Sequence, residues 1–338
     1  MNKVFFGDCR DTMRDLIAQG VKVQMCVTSP PYFGLRDYGH PGQLGLEATP
    51  AEFVAAMVEV FGLVREMLTD DGLLWLNLGD SYAANRGYQV ASTLMNGDAT
   101  NKAQAGDGHG MKAADFGLKP KDLIGIPWRV ALALQAAGWY LRQDIIWHKP
   151  NPMPESVTDR CTKAHEYLFL LSKSERYYFD ARAIAQPIAE SSKERLSQPN
   201  LPNQAGSDRV PGKTNGNMKA VGPRFGGNKY GDDDREESRT KSGNEYTGGD
   251  GLANRRSVWT VPTVPYSGAH FATFPPALIE PCILAGSRSG DTVLDCFFGS
   301  GTTGEVAGNL GRNWIGCEIN DQYAPLQQAR TAQRGLAL

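Results

Sequence analysis

No two cysteines of this chain stand in a C-x-x-C pair. The six, Cys9, Cys26, Cys161, Cys282, Cys296 and Cys317, have no disulfide-like spacing, and several lie inside apolar runs where Cys behaves as a small hydrophobe. That excludes a disulfide scaffold and fits a reducing compartment, so a cytoplasmic location is expected. No His/Cys/Asp cluster has the spacing of a zinc site, and no metal is expected. Long apolar runs are missing as well: nothing approaches the ~18 residues that span a bilayer. The opening "MNKVFFGDCRDTM" has no apolar core of the signal-peptide kind. A large excess of either charge is absent too. The net charge of −2 argues against a wholly basic nucleic-acid binder, while leaving local patches open.

What remains is the composition of a soluble α/β protein, 338 residues with 41% apolar and 21% charged. Over 1–180, strand-like and helix-like segments alternate. "VQMCVTS" predicts a strand, and the largely apolar and β-branched run from Val21 to Val27 predicts one covered on both faces. "TPAEFVAAMVEVFGLVREML" predicts a helix, with Thr as N-cap, Pro next and Glu in the first turn. "GLLWLNLGD", "LRQDIIWHKP" and "HEYLFLLSK" predict strands, and "PWRVALALQAAG" a helix. Alternation of this kind favours a mostly parallel sheet flanked by helices. Residues 83–120 are polar, Gly-rich and aperiodic, and a loop of that length is usually functional or disordered.

Between 181 and 262 the character changes. The segment is rich in Gly, Asn, Arg and Lys, with 13 basic against 10 acidic residues. It reads either as a disordered insertion or as a module that orders on a polyanion. From 263 to 338 the α/β pattern returns: helix "FPPALIEPCILAGS", strand "DTVLDCFFGS", helix "TTGEVAGNLG", strand "RNWIGCEIN", helix "DQYAPLQQARTAQRG".

Two turns carry chemistry. "TSPPYFGLRDYG" follows the first buried strand. Neither proline offers an N–H, so the ladder ends there and stiff, acceptor-rich backbone is left at the sheet edge. That is a plain strand ending, or a way to present acceptors to a substrate. The second turn, "DCFFGSGTTG", places Gly299, Gly301 and Gly304 in G-x-G-x-x-G spacing between a strand and a helix. Glu318 ends the next strand, where a carboxylate can accept from two ribose hydroxyls. A nucleoside cofactor follows. Only 20 residues come after Glu318, so the remaining strands must be supplied by the first zone. Asp295, just before the turn, sits poorly beside a pyrophosphate but well against a sulfonium and an α-ammonium. S-adenosylmethionine is therefore expected, with NAD as the alternative.

With "TSPPY" first, the variable zone next and "HFATFPPALIE" and "DCFFGSGTTG" last, the sequence resembles the amino-methylating DNA methyltransferases in the permuted order called the β group. The resemblance covers about three-quarters of the chain and omits the middle. It implies a circularly permuted, Rossmann-like α/β fold for S-adenosylmethionine-dependent methyl transfer, with 1–180 as the catalytic part, 181–262 as an inserted target-recognition region and 263–338 as the cofactor part. It implies that Ser29 Oγ and the Pro30 carbonyl accept the N–H groups of an exocyclic amine, that Pro31 keeps them stiff, and that Tyr32 or Phe33 stacks on an extruded base. The cofactor site it implies comprises Asp8, Thr28, Phe271, Thr273, Asp295, Phe297, Gly299, Gly301, Thr302 and Glu318. Asp8 reads equally as a helix N-cap. Asn77, Asp80, His148 and Lys149 close strands within reach of the site or make ordinary exits. Ser before Pro-Pro associates with cytosine N4, and adenine N6 stays open. Pro281-Cys282 matches the nucleophile pair of cytosine-C5 chemistry, but in a helix-like apolar segment it reads as core. Double-stranded DNA is the implied partner, with a homodimer and a cognate restriction endonuclease as further candidates. An inert DNA-binding module, or transfer to RNA or protein, are the competing accounts.

Overall fold

The computed structural model describes residues 2–35, 40, 42–83, 117–191, 194, 252–263 and 274–332. Phe271, Thr273, most of the 83–120 loop and residues 192–193 and 195–251 of the polar segment lie outside the described residues. The chain divides into two compact units, residues 1–183 with 256–338, and residues 184–255.

The larger unit is built on an eight-stranded sheet. In chain order its strands are β1 (Asn2–Phe6), β2 (Val23–Thr28), β3 (Leu68–Leu78), β4 (Tyr140–His148), β5 (His165–Ser172), β8 (Val258–Thr260), β9 (Thr292–Asp295) and β10 (Asn313–Glu318). Across the sheet they run β1-β10-β9-β2-β3-β5-β4-β8. The ladders are parallel except at β5, which is antiparallel to both β3 and β4. In the smaller unit, β6 (Gln186–Pro187) and β7 (Leu252–Ala253) form an antiparallel pair.

Every residue of β2 is buried, Gln24 and Thr28 included, as its largely apolar run predicts. The sequence reading omitted β1, whose residues are exposed or half-buried and carry no buried stripe. Val258–Thr260, three residues inside a stretch of insertion-like composition, extends the large sheet by pairing with β4.

Helix α1 (Cys9–Ala18) links β1 to β2, and α2 (Pro50–Met67) links β2 to β3. The α2 start is a reciprocal capping box: Thr49 Oγ1 accepts from Glu52 N and Glu52 Oε2 accepts from Thr49 N, both at 3.1 Å. Phe53, Met57, Val60, Phe61 and Val64 follow at helical spacing and are fully buried. Helix α3 (Ile126–Ala136) precedes β4. Helix α4 (Pro276–Gly286) precedes β9, α5 (Thr302–Asn309) links β9 to β10, and α6 (Ala324–Thr331) follows β10. The step from β9 to β10 runs across the sheet in the direction opposite to the steps from β1 to β2 and β2 to β3. Right-handed crossovers therefore place α1 and α2 on one face and α5 on the other. Neighbour contacts agree, joining α1 with α2 and α2 with α3, and separately α4 with α5 and α5 with α6. The carboxyl ends of β1, β10, β9 and β2 thus lie side by side where connections diverge, the place at which open α/β sheets bind ligands. Among the described residues no helix is long and apolar enough to cross a membrane.

Candidate functional site

Asp295 is where the two ends of the sequence meet. It closes β9, is 1% exposed, and accepts from Thr28 Oγ1 at 2.6 Å across 267 residues of chain. Thr303 Oγ1 donates to its other oxygen at 2.6 Å and Phe297 N to the first at 3.0 Å. Burial pushes its pKa up to about 6, and these three donors hold it down from going further. The carboxylate is thus a bracket between β2 and the glycine turn.

The glycine turn needs its glycines for two reasons. Gly299 and Gly301 have φ of 53° and 90°, in the left-handed region. Gly304, by contrast, makes room for packing. A Cβ there would meet Phe298 Cζ at 2.7 Å, and one at Gly316 would meet Phe298 Cγ at 2.4 Å. Phe298 stacks on Trp314 at 5.2 Å beneath the turn. Helix α6 holds the turn from the side: Gln327 Nε2 donates to the Gly299 carbonyl at 2.7 Å, and Arg330 Nη1 to Ser300 Oγ at 2.6 Å.

Glu318, at the end of β10, is 7% exposed and lies next to the turn. Gly299 N donates to its Oε2 at 2.7 Å and Asn320 N to its Oε1 at 2.9 Å. Burial raises its pKa to about 7 despite those donors. Each oxygen keeps a further acceptor site. Asp8 fulfils the N-cap alternative, accepting from Arg10 N at 2.8 Å. The Arg10 guanidinium pairs with it and holds its carboxyl below the usual range.

One cavity joins these groups to the acceptor turn. Its lining includes Asp8, Ser29, Pro31, Asp295, Phe297, Gly299, Thr302 and Glu318, with Phe274, Phe298 and Tyr323 as apolar wall. Eight of the residues expected at the site therefore surround one space. Thr28, Pro30, Tyr32 and Gly301 do not line it. Thr28 is buried against Asp295, Pro30 is buried, and Gly301 is the N-cap of α5. Tyr32 turns its hydroxyl to Glu166 and Asn77. Phe33 is a core residue, 4% exposed and 5.7 Å from the Phe53 ring.

Asp80 is a helix cap: its Oδ1 accepts from Gly125 N and Ile126 N at 3.0 Å. His148 Nδ1 lies 3.1 Å from Thr260 Oγ1, and Lys149 Nζ pairs with Glu166. Cys282 is fully buried inside α4, its thiol directed at the Leu278 carbonyl. Sequence reasoning missed Thr303, Gln327 and Glu166. The last had a signal, a lone carboxylate within the apolar strand "HEYLFLLS". Among the described residues no group of His, Cys, Asp or Glu could hold a metal.

The cavity suits S-adenosylmethionine. A carboxylate on the cavity wall can take the ribose hydroxyls, bare glycine backbone lets a ligand approach, and aromatic wall offers a face to adenine.

Residues 23–329 match the family model of the N6/N4 methylases, described as DNA methylase. The type II methyltransferase M.XycI of Xanthomonas campestris pv. cyanopsidis is 42% identical over 97% of this chain and 86% of that protein. M.SmaI of Serratia marcescens is 42% identical over 98% of this chain and 91% of its own length. Among solved structures, the PvuII DNA methyltransferase, titled cytosine-N4-specific, superposes with a TM-score of 0.57 at 16% identity, over 99% of this chain and 88% of that one. TTHA0409 of Thermus thermophilus, solved with S-adenosyl-L-methionine, gives 0.54 at 19% identity, over 100% and 96%. At such identities these two bear on the fold alone.

Proposed function

We infer the finer chemistry from one premise: this chain belongs to the DNA methylase family whose members methylate exocyclic amino groups, using S-adenosylmethionine. The reading is a site-specific DNA methyltransferase acting on cytosine N4. Ser29 on the cavity shared with Asp295 and Glu318 is the observation that carries it.

An exocyclic amine is a poor nucleophile because its lone pair is delocalised into the ring. Acceptors on its N–H groups draw the nitrogen toward a tetrahedral shape and free the lone pair for in-line attack. S-adenosylmethionine supplies the sulfonium-bound methyl group when bound. Ser29 Oγ and the Pro30 carbonyl are the acceptors, kept aligned by a stiff Pro-Pro backbone. Glu318 takes the ribose hydroxyls, and the Asp295 charge, aligned by Thr28 and Thr303, favours a cationic ligand. Phe297 and Thr302 complete the cofactor wall, Gly301 starts the helix behind it, and Phe271 and Thr273 are assigned to the methionine end by the family pattern. A neutral hydroxyl before Pro-Pro, rather than a carboxylate, is the feature associated with cytosine. The segment 181–262 is assigned to target recognition, and a cognate endonuclease is the partner suggested by type II relatives.

Label transfer from methyl-tritiated S-adenosylmethionine to unmethylated DNA, followed by digestion to nucleosides, tests this. Label in N4-methyldeoxycytidine is expected; label in N6-methyldeoxyadenosine would move the reading to adenine. Deleting 200–250 should remove sequence-selective DNA binding and keep cofactor binding.

A further inference from the structure

Behind the acceptor turn lies a polar cluster that the mechanism above does not use. The Tyr32 hydroxyl donates to Glu166 Oε2 at 2.6 Å and lies 3.1 Å from a second acceptor, Asn77 Oδ1. The ring edge occupies space that only a glycine leaves open: a Cβ on Gly79 would meet Tyr32 Cε2 at 2.4 Å. Glu166 is tied through its other oxygen to Lys149 Nζ, which stands 4.3 Å above the Trp147 ring. Asn77 is 3% exposed and is itself fixed, its Nδ2 donating to the Tyr167 carbonyl at 3.0 Å.

The Lys149–Glu166 pair is largely withdrawn from water, with side chains 18% and 15% exposed. Such a pair adds little net stability, because desolvating two charges offsets most of their attraction. A core tyrosine needs only one neutral acceptor. Here an ionic pair and an amide converge on one phenol, three residues from Ser29. The ring is thereby fixed at its hydroxyl end as well as along its edge.

We propose that Glu166, set by Lys149 and Asn77, is a positioning residue for methyl transfer. It locks the Tyr32 ring as the platform for the extruded base, and through residues 29–32 keeps the amine acceptors aligned. The proposal rests on the reading of Ser29–Tyr32 as the base-binding turn.

The test is tritiated methyl transfer onto unmethylated genomic DNA by the full chain and by Tyr32→Phe, Glu166→Leu, Glu166→Gln and the double variant Tyr32→Phe/Glu166→Leu. Cofactor affinity by calorimetry and thermal stability are measured beside it. Tyr32→Phe and Glu166→Leu should each lower kcat by about tenfold, the weight of one charge-assisted hydrogen bond. The double variant should lose no more than either single one, and cofactor Kd should stay within about twofold. Glu166→Gln still accepts from the hydroxyl and should recover most of the turnover. Additive losses, or a kcat that falls only in step with cofactor affinity or folded fraction, would overturn the proposal. Should Glu166→Leu fail to fold, Tyr32→Phe decides: unchanged kcat overturns, a loss at unchanged cofactor Kd supports. If the wild-type chain puts no label on DNA, the reading of the turn itself fails, which is a separate result.

Discussion

Two turns at the ends of adjacent parallel strands face one cavity, and they are built in opposite ways. After β2 the chain is stiffened by Pro30 and Pro31; after β9 it is freed by Gly299 and Gly301, both at positive φ. Under the proposed function the difference follows from what each must do. Acceptors that reshape an amine act through direction, so their backbone has to be rigid before the substrate arrives. A surface that closes on a nucleoside works by approach, so side chains must be absent. Each turn is then held by a different neighbour: β5 and β3 hold the proline turn through Glu166 and Asn77, and α6 holds the glycine turn through Gln327 and Arg330. The Thr28–Asp295 hydrogen bond joins turn to turn directly through side chains, with the Cys296 thiol also directed at Thr28 Oγ1.

Glu318→Ala should separate the two turns most sharply. It removes the carboxylate expected to accept two ribose hydroxyls, at about 1.5–3 kcal/mol for each bond to a charged group. Cofactor affinity should fall by roughly a thousandfold in calorimetry. Binding of target DNA without cofactor should stay near wild type. Equal loss of both would mean that the glycine side also shapes the DNA site.

Ser29→Ala is the mirror experiment. Turnover should drop by about a hundredfold, the scale of one preorganised hydrogen-bonding group aimed at a reacting centre. Cofactor Kd should remain within about twofold, since the change touches the acceptor side alone. A cofactor affinity that collapses here would remove Ser29 from the role assigned to it.

Thr28→Val breaks the bracket while keeping the shape of the side chain. It leaves a fully buried carboxylate short of one donor, at about 1–3 kcal/mol. Both functions should weaken together, and the melting temperature should fall by several degrees. Selective loss of one function would show that the turns are held independently.

How far the sequence reveals this arrangement depends on the range of each interaction. The capping box of α2 and the buried run of β2 are local, and composition alone displays them. The glycine turn is also local, and its distance to Glu318 is set by one helix and one strand. Ser29 and Asp295 lining one cavity is not a local matter; that expectation rests on the order of the two turns, which resembles that of the amino-methylating DNA methyltransferases. Glu166 stands 134 residues from the Tyr32 hydroxyl it holds. Nothing in "HEYLFLLS" says which phenol it will face. Gly79 and Gly316 look like ordinary glycines until Tyr32 and Phe298 are seen in the space beside them. The β1 strand escaped because its exposure pattern lacks the alternation of a half-buried strand.

The smallest effect concerns pH, and it sets the glycine turn against its own stability. Burial raises the folded-state pKa of Asp295 from 3.8 to about 6 and of Glu318 from 4.5 to about 7. For carboxyls raised on folding, the folded state holds the extra protons. Their contribution to stability is full below the unfolded values and is lost as pH rises through 6 and 7. The cofactor-free protein should therefore become less stable between pH 5 and 7.5 as these two groups ionise. Cofactor binding runs the other way. Hydroxyl donors favour the ionised carboxylate, so affinity should rise with pH and fall by about tenfold per unit below 7. Calorimetric melting at pH 5.5 and 7.5, with and without saturating S-adenosylmethionine, reads both slopes at once. Glu318→Gln keeps the shape but cannot ionise. Its cofactor affinity should be low and nearly independent of pH. A steep pH dependence that survives this substitution would assign the titration to Asp295, and hence to the bracket shared by both turns.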